Sequence, residues 1–201
     1  MNLWTFPLIL PPGSFDAYIF DCDGTLIDSM PLHWHAWRVA LQQQNAPFDF
    51  TEEMHHAFAG QSIPETVAVC NARYHCSLDP DEIERARTEF FFSHLDELRL
   101  VTPVVEFARS QAGQKPLAVA SGSDRNIVVR ELTHLGLIDL FPVIITADDV
   151  VRSKPAPDLF LLAAQGLGVA PASCLVFEDG KNGLRAAEAA GMQWVYVPTN
   201  E

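Results

Sequence analysis

Short apolar runs that stop abruptly at polar clusters set the pattern of this chain. Ala17-Tyr18-Ile19-Phe20 runs into Asp21-Cys22-Asp23-Gly24-Thr25, and Leu117-Ala118-Val119-Ala120 into Ser121-Gly122-Ser123-Asp124. Val143-Ile144-Ile145 stops at Thr146, Cys174-Leu175-Val176-Phe177 at Glu178-Asp179-Gly180, and Trp194-Val195-Tyr196-Val197 closes the series. Continuous rather than alternating apolarity predicts strands buried on both faces. Helical patterns fill the intervals. Val104–Gln111 follows Thr102-Pro103, read as a cap residue with proline at the first helical position. Asp124–Leu135 stops at Gly136, Ala156–Gly166 ends on a glycine, and Asn182–Ala190 stops at Gly191. The alternation predicts an α/β fold, a doubly wound parallel sheet covered on both faces.

Residues 30–97 break the alternation. They carry no convincing strand, six of the seven histidines, and 11 acidic against four basic residues. The stretch predicts a small all-helical domain inserted after the first strand. The expected organisation is therefore an α/β core of residues 1–29 and 98–201 with a cap of residues 30–97. Residues 1–14, with three prolines and a glycine, read as an extended leader.

Charge narrows the partners. Thirteen Lys and Arg against 26 Asp and Glu leave a formal charge of −13, which argues against nucleic acid or an anionic membrane. No apolar stretch approaches the roughly 18 residues of a membrane span, and Met1-Asn2-Leu3-Trp4 shows no basic leader. The four cysteines form no CxxC pair and read as reduced thiols of a cytoplasmic protein.

In open α/β sheets the ligand crevice lies at the carboxyl ends of the strands. That rule brings together Asp21 and Asp23, Ser121, Lys154, and Glu178 with Asp179. Carboxylates, a hydroxyl and a lysine are the parts that hold Mg²⁺ and a phosphoryl group. Singly, each has a plainer reading: the aspartates as turn residues, Ser121 as a helix cap, Lys154 as a solvated loop lysine. Gly24, Gly180 and Gly183 read as backbone glycines without a ligand role.

Taken in order, Asp-x-Asp-Gly-Thr, the strand-end Ser, Lys-Pro-x-Pro-Asp, and Glu-Asp followed by Gly-x-x-Ala-Ala-x-x-Ala-Gly-Met resemble the haloacid dehalogenase superfamily. The resemblance covers about residues 15–198. It points to the branch of β-phosphoglucomutase and fructose-1-phosphate phosphatase-like enzymes. It implies a Rossmann-like core with a helical cap and Mg²⁺ as cofactor. Asp21 would be the nucleophile that takes the phosphoryl group. Asp23 would protonate the leaving oxygen and then activate water. Ser121, Gly122 and Lys154 would bind phosphoryl oxygens. Asp21, Asp23 (through its carbonyl), Glu178 and Asp179 would surround the metal.

In the insertion, His33 resembles the family's cap-hinge histidine, and a satisfied histidine of an apolar helix face is the alternative. Gly60 and Gln61 resemble a cap loop that reaches the substrate. Ala59 and Ile63 stand where β-phosphoglucomutase has basic residues, which weakens a mutase reading. Arg87 is the one motif-matched basic residue, with a solvated helix-surface arginine as its alternative. Asp23 argues against a dehalogenase, and the absence of lysine from 30–97 argues against a Schiff-base phosphonate hydrolase. The expected function is Mg²⁺-dependent hydrolysis of a small phosphomonoester, a sugar phosphate, through an aspartyl phosphate. A β-phosphoglucomutase-like transfer is the alternative, and a catalytically silent phosphate binder is the reading of another class. The expected partner is a small phosphorylated metabolite, with the protein a monomer or weak homo-oligomer.

Overall fold

The computed structural model describes residues 6–58 and 61–198. The chain divides into two compact units, Met1–Asp28 with Arg99–Glu201, and Ser29–Leu98.

The first unit is built on a five-stranded sheet in the order β5-β4-β1-β6-β7. The strands are β1 (Ala17–Phe20), β4 (Leu117–Ala120), β5 (Val143–Ile145), β6 (Cys174–Glu178) and β7 (Gln193–Tyr196), and every pairing is parallel. Two further strands, β2 (Ile27–Asp28) and β3 (Arg99–Leu100), form a separate antiparallel pair. No residue pattern announced them, because two residues are too short to show a period.

Helices α5 (Thr102–Gln111), α6 (Arg125–His134), α7 (Asp158–Leu167) and α8 (Lys181–Ala189) cover the sheet. Side chains alternate along β1 and so sort the two layers. Ala17 and Ile19 pack with Leu159, Phe160 and Ala163 of α7 and with Ala186 and Ala187 of α8. Tyr18 and Phe20 face the other way, where Tyr18 meets Phe107 of α5 edge-on at 5.0 Å and Phe20 stacks on Phe177 at 4.7 Å. Helices α5 and α7 depart most from expectation, α7 starting at Asp158 rather than Ala156. Thr102 is the first residue of α5 rather than its cap, which is Val101. Helix α7 runs through Gly166 to a left-handed Gly168, and the hydrogen of Gly166 gives Val143 of β5 room to approach.

Ser29–Leu98 is all helical: α1 (Met30–Gln43), α2 (Glu52–Ala57), α3 (Ile63–Tyr74) and α4 (Pro80–Ser93). Its starts are chemically marked. Ser62 and Glu65 form a reciprocal capping box, and the Asp79 side chain accepts from the amides of Asp81 and Glu82. Trp37, Leu41, Phe50, Val67 and Ile83 form its core. Among the described residues no helix is long and apolar enough to cross a membrane.

Candidate active site

The strand order reverses at β1, whose neighbours β4 and β6 continue the sheet in opposite directions. Loops leaving the two sides diverge there and open a crevice beyond the carboxyl end of β1. Asp21 occupies that end. Its amide donates to the carbonyl of Phe177 at 3.0 Å, which continues the ladder one residue past the strand. The chain then turns sharply. The carbonyl of Cys22 accepts from the amides of Thr25, Leu26 and Ile27 at 3.3, 2.9 and 3.0 Å. Gly24 makes the turn with φ of +78°, and a β-carbon there would collide with the carboxylate of Asp179.

Three acidic side chains and one lysine meet in the crevice. Lys154 Nζ donates to Asp21 Oδ1 at 2.5 Å and to Glu178 Oε2 at 2.7 Å. The side chains of Lys154, Asp21 and Glu178 are only 11%, 9% and 4% exposed, so the pairing takes place largely out of water. Asp179 Oδ1 accepts from the Thr25 hydroxyl at 2.8 Å. Gly183, on the first turn of α8, leaves the space that the Glu178 carboxyl fills.

One ammonium does not balance this charge. Burial, then the charge of Glu178, pushes the Asp21 carboxyl well above its ordinary range despite Lys154. Burial and Glu178 likewise push Asp179 up to about 7. Burial works against the charge of Lys154, but Asp21 and Glu178 outweigh it and hold the ammonium firmly protonated. Carboxylate oxygens of Asp21, Glu178 and Asp179 lie within 4.8 Å of one another. A hard divalent cation takes such an all-oxygen set and relieves its repulsion, so the residues fit Mg²⁺.

The serine loop after β4 adjoins this cluster. Ser121 is fully buried, and its hydroxyl accepts from the Ser123 amide at 3.0 Å. It does not cap α6, whose N-cap is Asp124. The Ser123 hydroxyl donates to Asp23 Oδ2 at 2.6 Å. Gly122 is exposed beside it. The structure therefore gathers Asp21, Glu178, Asp179 and Lys154 in one hydrogen-bonded and electrostatic group, with Asp23 tied to the serine loop.

The expected residues of the helical unit take their places within it. His33 is buried and stacks on Phe91 at 4.4 Å, while Arg87 lies over the Trp37 ring at 4.4 Å. Arg87 is thus half-buried against an aromatic ring rather than fully solvated. Gln61 is exposed before α3, and Gly60 lies outside the described residues.

Three residues escaped sequence reasoning. Ser123 and Thr25 each bond a motif carboxylate, and their places inside the Ser-Gly-Ser and Asp-Gly-Thr runs were the available signal. Glu131 is the third. It sits wholly buried on α6 and accepts from the Cys22 thiol at 3.7 Å. Burial and then the charge of Asp23 push its carboxyl well up.

Comparison with known proteins agrees with this geometry. Residues 15–191 match the haloacid dehalogenase-like hydrolase family. The chain is 39% identical over 183 residues to the fructose-1-phosphate phosphatase YqaB of Escherichia coli, covering 91% of this chain and 96% of that protein. It is 29% identical to a phosphorylated carbohydrates phosphatase of Thermotoga maritima, covering 90% and 84%. Among solved structures, CbbY from Rhodobacter sphaeroides in complex with phosphate superposes with a TM-score of 0.81 at 28% identity, over 92% of this chain and 86% of that one. A motif order, a crevice and a match over about nine-tenths of the chain thus converge: the chain belongs to the haloacid dehalogenase-like hydrolase family, as one of its phosphomonoester hydrolases.

Proposed function

We propose that this enzyme releases phosphate from a small phosphorylated sugar, with Mg²⁺ as cofactor and an aspartyl phosphate as intermediate. The observation that carries the reading is the buried group of Asp21, Glu178, Asp179 and Lys154 at the end of β1. It offers a nucleophile, an anion-binding cation and an oxygen set for a divalent metal. The sugar follows from the relatives named for fructose 1-phosphate and phosphorylated carbohydrates.

In this reading Asp21 attacks phosphorus as the ester oxygen departs, and Asp23 gives that oxygen its proton. Asp23, now a carboxylate, takes a proton from water, and the hydroxide attacks the phosphoryl group on Asp21. Inorganic phosphate leaves and Asp21 is restored. Lys154, the Ser121 hydroxyl and the backbone at Gly122 bind the transferring oxygens, and Ser123 keeps the Asp23 carboxyl in place. Asp21, Glu178, Asp179 and the Asp23 carbonyl would hold Mg²⁺, which supplies charge neutralisation and Lewis acidity when bound. We assign substrate selection to residues of the helical unit, His33, Gln61 and Arg87 with Gly60, on the family resemblance. The same reading makes the enzyme cytoplasmic, consistent with its four unpaired cysteines, and a monomer or weak homo-oligomer.

The test is phosphate release from a panel of sugar phosphates, with and without Mg²⁺, by the wild type and Asp21→Asn. The wild type should turn over at least one sugar phosphate and depend on Mg²⁺, and the folded variant should be inactive. Wild-type rates in Asp21→Asn, free of deamidation, would overturn the mechanism. Isomer exchange outpacing phosphate release would replace hydrolysis by a mutase reaction.

A further inference from the structure

Helix α6 turns Val128, Glu131 and Leu132 toward the interior, and Glu131 has no exposed surface at all. Buried carboxyl oxygens are ordinarily hydrogen-bonded. Here Oε2 accepts from the Cys22 thiol, a weak donor, at 3.7 Å, and Oε1 has no hydrogen-bond partner among the described residues. An apolar side chain of similar size would pack this stripe at less cost. Such a residue, retained on the core face of a helix, calls for a reason other than stability.

Its surroundings supply one. Cys22 is the link between Asp21 and Asp23, and its side chain is buried against Glu131. A carboxylate oxygen of Asp23 lies within 4.8 Å of one on Glu131, close enough for the two to interact directly or through a single water. Ser123, just before α6, already holds Oδ2 of Asp23. The segment from Ser123 through α6 therefore reaches the same loop at two places.

We propose that Glu131 is a positioning residue for Asp23: it anchors the turn after β1 through Cys22 and, across the short gap, orients the carboxyl that moves the proton. The inference rests on the role given to Asp23 above. A purely structural Glu131 would be interchangeable with Leu. A positioning Glu131 would not, and its loss would show most where protonation of the leaving group matters most.

The experiment compares wild type, Glu131→Leu, Glu131→Met and Glu131→Gln by thermal melting and by kcat and KM. Two substrates are used, the sugar phosphate identified by the panel and p-nitrophenyl phosphate, whose leaving group needs little protonation. In the apolar variants melting should hold or rise. Their kcat on the sugar phosphate should fall about tenfold or more with KM moving less than about twofold, and the loss in kcat/KM, which reports the steps up to the phosphoenzyme, should be much smaller on p-nitrophenyl phosphate. Gln keeps shape and hydrogen bonding and should recover most of kcat. Wild-type kcat on the sugar phosphate in Glu131→Leu would overturn the inference, as would equal losses in kcat/KM on both substrates. Failure of both apolar variants to fold would assign Glu131 to the architecture alone and overturn it too. Should wild type turn over neither substrate while Asp21→Asn melts like it, the functional reading fails instead, and the two failures stay distinct.

Discussion

The hydroxyl of Ser123 donates to Oδ2 of Asp23 at 2.6 Å, joining the loop after β4 to the turn after β1. The residue proposed to carry protons is thereby held by a neighbour outside the four recognised motifs. Ser123→Ala removes a hydrogen bond to a charged group, worth about 1.5–3 kcal/mol. We expect kcat to fall roughly ten- to a hundredfold with KM nearly unchanged, in a variant that melts several degrees lower but cooperatively. Steady-state kinetics of the folded variant decide the matter, and an unaltered kcat would remove Ser123 from the machinery.

Lys154 carries the opposite burden, because it is the cation among buried carboxylates. Lys154→Met leaves Asp21 and Glu178 facing each other without their shared donor. Breaking a buried ion pair from one side costs about 3–5 kcal/mol, and urea unfolding should show a loss of that order. Adding Glu178→Gln should return part of it. A single variant as stable as wild type would contradict the pairing described here.

Binding of Mg²⁺ should be visible without turnover. A ligand that binds only the folded protein stabilises it by about 2.7 kcal/mol at a hundredfold excess over Kd. The melting temperature should therefore rise with Mg²⁺ and not with Na⁺ at equal ionic strength. Asp179→Asn should blunt the response. Identical melts in the two salts would count against a metal at this cluster.

Acid should act on the helical unit through His55. Burial, then the nearby His33 and Arg87, lowers this imidazole from 6.5 to about 3. Between those values the unfolded chain takes up a proton that the folded chain refuses. Stability is thus complete above about pH 6.5 and falls as pH drops toward 3, by about 1.4 kcal/mol per pH unit at the steepest. Glutamine at position 55 cannot charge. The unfolding free energy of His55→Gln relative to wild type should therefore rise by about 2–3 kcal/mol from pH 7 to 4.5. A constant difference would refute the assignment.

Much of the sheet was legible because buried parallel strands are apolar throughout and end where polar chemistry begins. Ala17–Phe20 and Leu117–Ala120 occupy the positions their runs implied. The motif carboxylates and Lys154 converge as the strand-end rule requires. What stayed hidden depends on long-range packing. Glu131 is one acidic residue among the polar residues of α6, and only the fold shows that its face is the inner one. The helix expected to stop at Gly166 runs on to Gly168, because Gly166 gives Val143 room to pack while the positive φ that ends the helix falls at the second glycine. Gly24 and Gly183 were read as backbone residues. They do leave the carboxylates their space, a steric role that no local pattern encodes.

The strand order has a consequence for the growing chain. Strand β1 pairs with β4 on one side and β6 on the other, so its second edge waits for Cys174–Glu178 to be made. Until then an apolar strand has an unsatisfied row of backbone groups, and Asp21 lacks Glu178 as a companion around Lys154. Synthesis of the last strands thus finishes the hydrophobic core and the reaction centre in one event. A nascent chain halted before Cys174 would be a sticky, open-edged intermediate, prone to pair with other chains or to be held by chaperones.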